Sequence, residues 1–99
     1  MGKYFLTAKA LSDLSDIYEY TYYFWSENHA DKYYQNLIDC FQSLAKSPRI
    51  GRAYDEIDLG LLGFPMRKHV IFYKLYAEEE IEIIRILSSN MDLKKLIKE

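Results

Sequence analysis

Five residues of this sequence carry side chains that could close on an anionic group: Arg52, Arg67, Lys68, His69 and Arg85. Three stand in a row, Arg67-Lys68-His69, directly before an apolar run, and Arg85 interrupts a second apolar run. Strand ends and loops meet at the rim of a sheet, so cations from separate segments can gather there. Such a group could hold RNA phosphates and stabilise the charge of a phosphoryl transition state. It could equally pair with acidic side chains of a protein partner, or be no more than cations scattered over a solvated surface. On a regular strand Arg85 would share a face with Ile83 and Leu87.

Other constellations are thin. His29 and His69 are far apart in sequence, His29 is expected at a helix start, and two histidines alone make no metal site. Cys40, the one cysteine, falls at the border of an apolar stripe and reads as core filling rather than as a nucleophile. A single thiol forms no internal disulfide, in keeping with a reducing compartment. No glycine-rich phosphate loop, His-Glu-x-x-His pair or paired cysteines occur, so no cofactor or metal is expected. Glu78-Glu79-Glu80 reads as a solvated turn.

The elements that must position these residues follow from apolar periodicity. Tyr4-Phe5-Leu6 is a short strand, and Thr7 is a good N-cap for a helix over about 8–26. Along that helix Leu11, Leu14, Tyr18, Thr21, Tyr22 and Trp25 recur at spacings of three and four. Glu27 or Asn28 breaks it, and a second helix runs to about Lys46. Ala30, Tyr33, Tyr34, Leu37, Phe41 and Leu44 share its apolar face. Ser47-Pro48 stops it, because proline lacks a donor and disfavours helix in the residue before it.

Arg49 to Asp58 reads as an irregular connection. Three strands follow: Gly60–Pro65, Lys68–Tyr76 and Ile81–Leu87, the second apolar on both faces and therefore central. Short connections make these three an antiparallel meander, with the first strand pairing at an edge or between others. A short basic tail helix carries Lys94, Lys95 and Lys98. The expectation is one α+β domain over 1–99: a two-helix hairpin packed on an antiparallel sheet of about four strands, with a short C-terminal helix.

Residues 18–25 hold six aromatics: Tyr18, Tyr20, Tyr22, Tyr23, Phe24 and Trp25. At 100° per residue, Tyr18, Tyr22 and Trp25 fall on the core stripe and Tyr20, Tyr23 and Phe24 on the opposite half. Either this helix packs against both the sheet and the second helix, or an exposed aromatic patch remains and marks a protein interface.

The formal charge is −2, from 13 basic and 15 acidic residues. A protein that lives by wrapping nucleic acid usually has a basic excess, so direct nucleic-acid binding is not expected. Residues 49–76 do carry five basic and three acidic groups, enough for a local basic patch. The opening Met1-Gly2-Lys3-Tyr4 lacks an apolar signal core, and Thr7 is misplaced for a myristoylation motif after Gly2. No apolar stretch approaches the length of a membrane span, and the expected location is the cytoplasm.

Taken in order, these residues resemble the ParE branch of the RelE/ParE toxins of bacterial type II toxin–antitoxin systems. The resemblance covers nearly the whole chain. It runs through Leu6-Thr7, Ala10, Asp13-Leu14, Ile17 and Tyr20, with Trp25 beyond. It continues through Ala30, Tyr33, Leu37, Phe41, Leu44-Ala45, Pro48, Gly51-Arg52, Glu56 and Gly60. The most specific blocks are His69-Val70-Ile71-Phe72-Tyr73 and Ile84-Arg85-Ile86-Leu87 followed by Met91-Asp92. Two positions depart: Ser88 stands where the branch usually has histidine, and Leu62 where a basic residue commonly follows Gly-Leu.

The resemblance implies the fold derived above, a ParD-like antitoxin whose C-terminal segment folds over the toxin in a hetero-oligomer, and DNA gyrase as target. Beside it, residue type assigns the basic group Arg52, Arg67, Lys68, His69 and Arg85 to the target and the surplus aromatics Tyr20, Tyr23, Phe24 and Trp25 to the antitoxin, although target contacts in this branch are not fixed by motif. The alternative is a ribosome-dependent messenger RNA endoribonuclease of the RelE kind. That branch often carries a tyrosine or histidine near the end of the last strand, and neither occurs after Tyr76.

Overall fold

The computed structural model describes residues 2–98; Met1, where the segment read for a leader begins, and Glu99 lie outside the described residues. Strand β1 (Lys3–Leu6) leads through Thr7 into helix α1 (Ala8–Phe24). The Thr7 hydroxyl accepts from the Ala10 N–H at 3.0 Å and donates to the Ile84 carbonyl at 2.8 Å, so one cap starts the helix and ties it to the sheet. Helix α2 (Glu27–Lys46) starts from Ser26, whose Oγ accepts from the His29 N–H at 3.1 Å. Helix α1 therefore ends two residues sooner than its periodicity predicts: Trp25 has left helical geometry and Ser26 belongs to the next helix.

The core stripe of α1 is also displaced from the expected one. Ala10 and Leu14 are buried and Ile17 packs partly beside them, whereas Leu11 and Trp25 face outward. Two packing partners explain this. Helix α1 lies on both α2 and the sheet, and that close approach admits small and aliphatic side chains where a ring would not fit. On α2 the buried residues are Ala30, Leu37, Phe41, Leu44 and Ala45, and the helix stops at Lys46 as its proline signal predicts.

A 3₁₀ turn over Pro48–Ile50 follows, then β2 (Arg52–Ala53), β3 (Leu62–Met66), β4 (His69–Ala77) and β5 (Glu80–Ser88), with helix α3 (Leu93–Lys98) at the end. The sheet order is β1-β5-β4-β3-β2, so the doubly apolar β4 is central. The meander β2–β5 is antiparallel, but β1 pairs with β5 in parallel. The sheet thus has five strands and is mixed, not four and purely antiparallel: the helical hairpin lets β1 join the edge in β5's own direction, and a two-residue strand sits inside the stretch expected to be irregular.

Alternation along β4 divides the core in two. Ile71 and Tyr73 face α1 and α2, while Val70 and Phe72 face the opposite side. The second side is covered by Tyr54, Ile57 and Leu61 and by Leu93, Leu96 and Ile97 of α3. Tyr73 is fully buried, and its hydroxyl donates to the Pro48 carbonyl at 2.7 Å. Gly51 passes so close that a Cβ there would overlap this hydroxyl, which is why the residue is glycine.

Candidate functional site

Arg85 reaches its position through an irregularity that strand alternation does not reveal. The β4–β5 register pairs Phe72 with Arg85 but Tyr73 with Ile83, leaving Ile84 as an extra residue. This bulge puts Arg85 on the face of Phe72 and Leu87 and not with Ile83. It also lies beyond the end of the short β1, where the edge of β5 would be bare. Asp13 of α1 covers that edge: its Oδ2 accepts from the Ile86 N–H at 3.0 Å. The Arg85 guanidinium closes on the same carboxylate, Nε to Oδ2 at 2.8 Å and Nη2 to Oδ1 at 2.9 Å, and Nη1 donates to the Leu96 carbonyl at 3.3 Å. Arg85 is thus a fastener between β5, α1 and α3.

At the same end of the sheet, Arg67 and Lys68 form the tight turn joining β3 to β4. Both are exposed. Arg67 has φ of 57°, a left-handed conformation that favours glycine at the first central position of such a turn. An arginine held there has a cost in backbone strain, as does Glu79, with φ of 56°, in the turn between β4 and β5. His69 faces inward beside it. Its Nδ1 lies 2.7 Å from the Tyr33 hydroxyl on α2, and burial lowers its pKa, with a smaller opposing influence from the Asp13 carboxylate. His69 is therefore a neutral hydrogen-bonding group near pH 7 rather than a further cation. Burial raises the Tyr33 pKa, and the charge of Arg67 partly offsets this, so the guanidinium and the phenol share one neighbourhood.

Arg52 is elsewhere. It pairs across the sheet with Gly63, Gly63 with Phe72, and Phe72 with Arg85. Three strand spacings separate the two arginines, about 14 Å of backbone. The Arg52 guanidinium lies 4.8 Å from the centre of the Tyr54 ring and 4.0 Å from Glu56. Of the five basic residues proposed from sequence, the structure brings Arg67, Lys68 and His69 to one turn, ties Arg85 to Asp13, and leaves Arg52 at the β2 edge. Asp13 and Tyr33, the acceptor and phenol that complete the sheet end, went unremarked as site residues; the one available signal was that a tyrosine on an apolar stripe needs a partner for its hydroxyl.

A second surface lies on the helical hairpin. Tyr20, Tyr23, Phe24 and Trp25 are 61–74% exposed, a cluster of large rings open to solvent. Tyr20 and Phe24 stack with centroids 4.6 Å apart, and Trp25 lies against His29 at 5.7 Å. Tyr22 is exposed as well, and Trp25 leaves the core stripe on which the periodicity put it. Beside them a shallow groove between α1 and α2 is lined by Leu11, Leu14, Ser15, Tyr18, Asp31 and Tyr34. There Tyr18 donates to Asp31 at 2.7 Å, a bond to a carboxylate that pushes its pKa up to about 12.

A helical hairpin on a five-stranded mixed sheet, with a basic turn at one end and open aromatics on α1, defines a small α+β fold. Residues 4–93 match the family described as the ParE toxin of type II toxin–antitoxin systems, parDE. Toxin ParE1 of Mycobacterium tuberculosis (strain CDC 1551 / Oshkosh) is 34% identical over 92 residues, covering 93% of this chain and 94% of the relative. Toxin ParE1 of Caulobacter vibrioides is 29% identical with the same coverage. In solved structures, a chain of the chromosomal ParDE system from P. aeruginosa superposes with a TM-score of 0.74 at 21% identity. That match covers 89% of this chain and 95% of the other, and shows the shared fold. The chain belongs to the ParE toxin family of type II toxin–antitoxin systems. Among its described residues no helix is long and apolar enough to cross a membrane.

Proposed function

We propose that this toxin acts by gripping DNA gyrase and not by catalysis, and that a ParD-like antitoxin neutralises it by folding over the α1–α2 hairpin. The observation that carries the reading is the engagement of Arg85. In a nuclease, a guanidinium at the head of the site would turn to the transferring phosphoryl group. Here Arg85 is bound through one edge, Nε and Nη2, to Asp13 and through Nη1 to α3. Arg67 and Lys68 instead project from a turn, suited to carboxylates or phosphates on the surface of a large partner. The aromatics Tyr20, Tyr23, Phe24 and Trp25 supply the open apolar area that an antitoxin tail would cover. Such a toxin works in the cytoplasm, beside its target, and its resting state is a hetero-oligomer.

The ribonuclease alternative draws on one feature, the Tyr33–His69 pair beside Arg67, since a phenol and an imidazole in hydrogen-bond contact could move protons. Purified toxin tested in parallel against gyrase supercoiling and ribosome-bound message separates the two. Gyrase should be blocked with the message intact; cleaved message with supercoiling untouched would overturn the proposal. Arg67→Gly sharpens the test. It removes the charge and relieves the left-handed backbone, so inhibition should fall about tenfold, the loss of one charge-assisted contact. The fold should not be destabilised, because relief of a left-handed residue, about 1–2 kcal/mol, offsets the entropy cost of glycine, about 0.5–1 kcal/mol.

A further inference from the structure

Along α1, Asp16 lies three and four residues before Glu19 and Tyr20, and Tyr23 three and four residues after Tyr20 and Glu19, so the four form one continuous strip on the outside of the helix. Phe24 stacks on Tyr20 at its border, and Glu27 stands just across the hairpin turn at the start of α2. All six side chains are exposed. The three carboxylates are notable for what they do not do. Asp13, Glu56 and Asp58 each meet a cation, whereas Asp16, Glu19 and Glu27 make no ion pair among the described residues.

Helix α1 has no basic residue in its last turn, so the negative end of its dipole points into the same region without a compensating side chain. From 8 to 32 the hairpin carries five carboxylates and two lysines, Lys9 at the far end of α1 and Lys32. Of the five carboxylates, Asp13 is bound by Arg85 and Asp31 by Tyr18 in the α1–α2 groove, which leaves Asp16, Glu19 and Glu27 as the negative charge bordering the exposed rings.

We propose that the segment bound by this face is cationic as well as amphipathic: the antitoxin tail sets Arg or Lys side chains over Tyr20, Tyr23 and Phe24, between Asp16, Glu19 and Glu27. The inference rests on the antitoxin reading above and adds the chemistry of the bound segment. Ring faces are the negative pole of the aromatic quadrupole and attract a guanidinium or ammonium within about 6 Å of the centroid. The aliphatic stems of the same residues cover apolar area that a compact anion or a short polar chain would leave wet. A neutral tail would leave three carboxylates and a helix end uncompensated at the interface, and an acidic one would be repelled.

The test uses the full-length toxin and its antitoxin. Replacing Asp16→Asn, Glu19→Gln and Glu27→Gln together removes the charge and keeps size and hydrogen bonding. At low salt the antitoxin Kd should rise about tenfold, with a flatter salt dependence. A second measurement leaves the toxin untouched: antitoxin whose tail Arg and Lys residues are changed to Gln should lose affinity to the same extent for parent toxin. It should lose little more for the triple variant. Unchanged Kd and salt slope in both experiments, with α1 still protected from hydrogen exchange in the complex, would overturn the charge assignment and leave the antitoxin reading standing. Absence of protection along α1 would overturn the antitoxin reading itself.

Discussion

The side chains of Arg85 and Asp13 are 16% and 13% exposed and share two parallel hydrogen bonds, a geometry that an ammonium cannot reproduce. Arg85→Ala would leave a largely buried carboxylate with one backbone donor, and should cost about 3 kcal/mol in urea unfolding. Arg85→Lys keeps the charge but loses the fork, and should fall between parent and alanine. An unfolding midpoint for Arg85→Ala equal to the parent's would show that the pair holds nothing together. His69 makes a separate, pH-dependent contribution. Burial depresses its folded pKa below the ordinary 6.5, so the folded state resists taking up a proton that the unfolded chain accepts. Stability from this group is complete above pH 6.5 and is lost as pH falls from there through the folded value. His69→Gln should flatten that part of the stability–pH curve.

At the scale of elements, the junction between α2 and the sheet depends on Gly51 and Tyr73. The glycine is needed for close approach and not for an unusual backbone, since its φ of −74° is open to any residue. Gly51→Ala should therefore act by overpacking, costing about 1–3 kcal/mol and lowering the melting temperature. The first atom that the new methyl meets is the Tyr73 hydroxyl, so Tyr73→Phe should partly relieve the alanine. By itself Tyr73→Phe costs about 1 kcal/mol through the lost bond to Pro48. The double variant should be more stable than the sum of the single losses allows, and strict additivity would place the clash elsewhere. Element boundaries show where sequence signals are strong. Thr7, Ser47-Pro48 and the apolar β4 lie where caps, breakers and β-branched residues put them. The α1–α2 junction lies two residues before the point the periodicity predicts, because Trp25 keeps the helical spacing of the stripe although Ser26 already caps the next helix.

Across the whole molecule, the basic β3–β4 turn and the acidic, aromatic face of α1 are separate surfaces of opposite charge. One chain can therefore present different chemistry to a target and to a neutralising partner. Exposed rings make the isolated chain prone to self-association, and co-expression with antitoxin should improve its solubility. Hydrogen exchange of the complex should show new protection along α1 and the adjoining sheet. Protection confined to residues after Met91 would place the partner elsewhere.

Local chemistry was enough to read the two helices, the order of the last three strands, the central place of β4 and the surplus of aromatics on α1, because each follows from periodicity, capping or composition along the chain. Tertiary structure alone decided three things. The parallel pairing of β1 with β5 depends on where the helical hairpin returns the chain. The displaced core stripe of α1 depends on how closely α2 and the sheet approach it. The fate of the basic residues depends on the bulge at Ile84, which rotates Arg85 away from Ile83's side, and on Asp13, which lies 72 positions from Arg85 in sequence. Contacts across such a separation are set by packing in three dimensions, and no spacing rule along the chain encodes them.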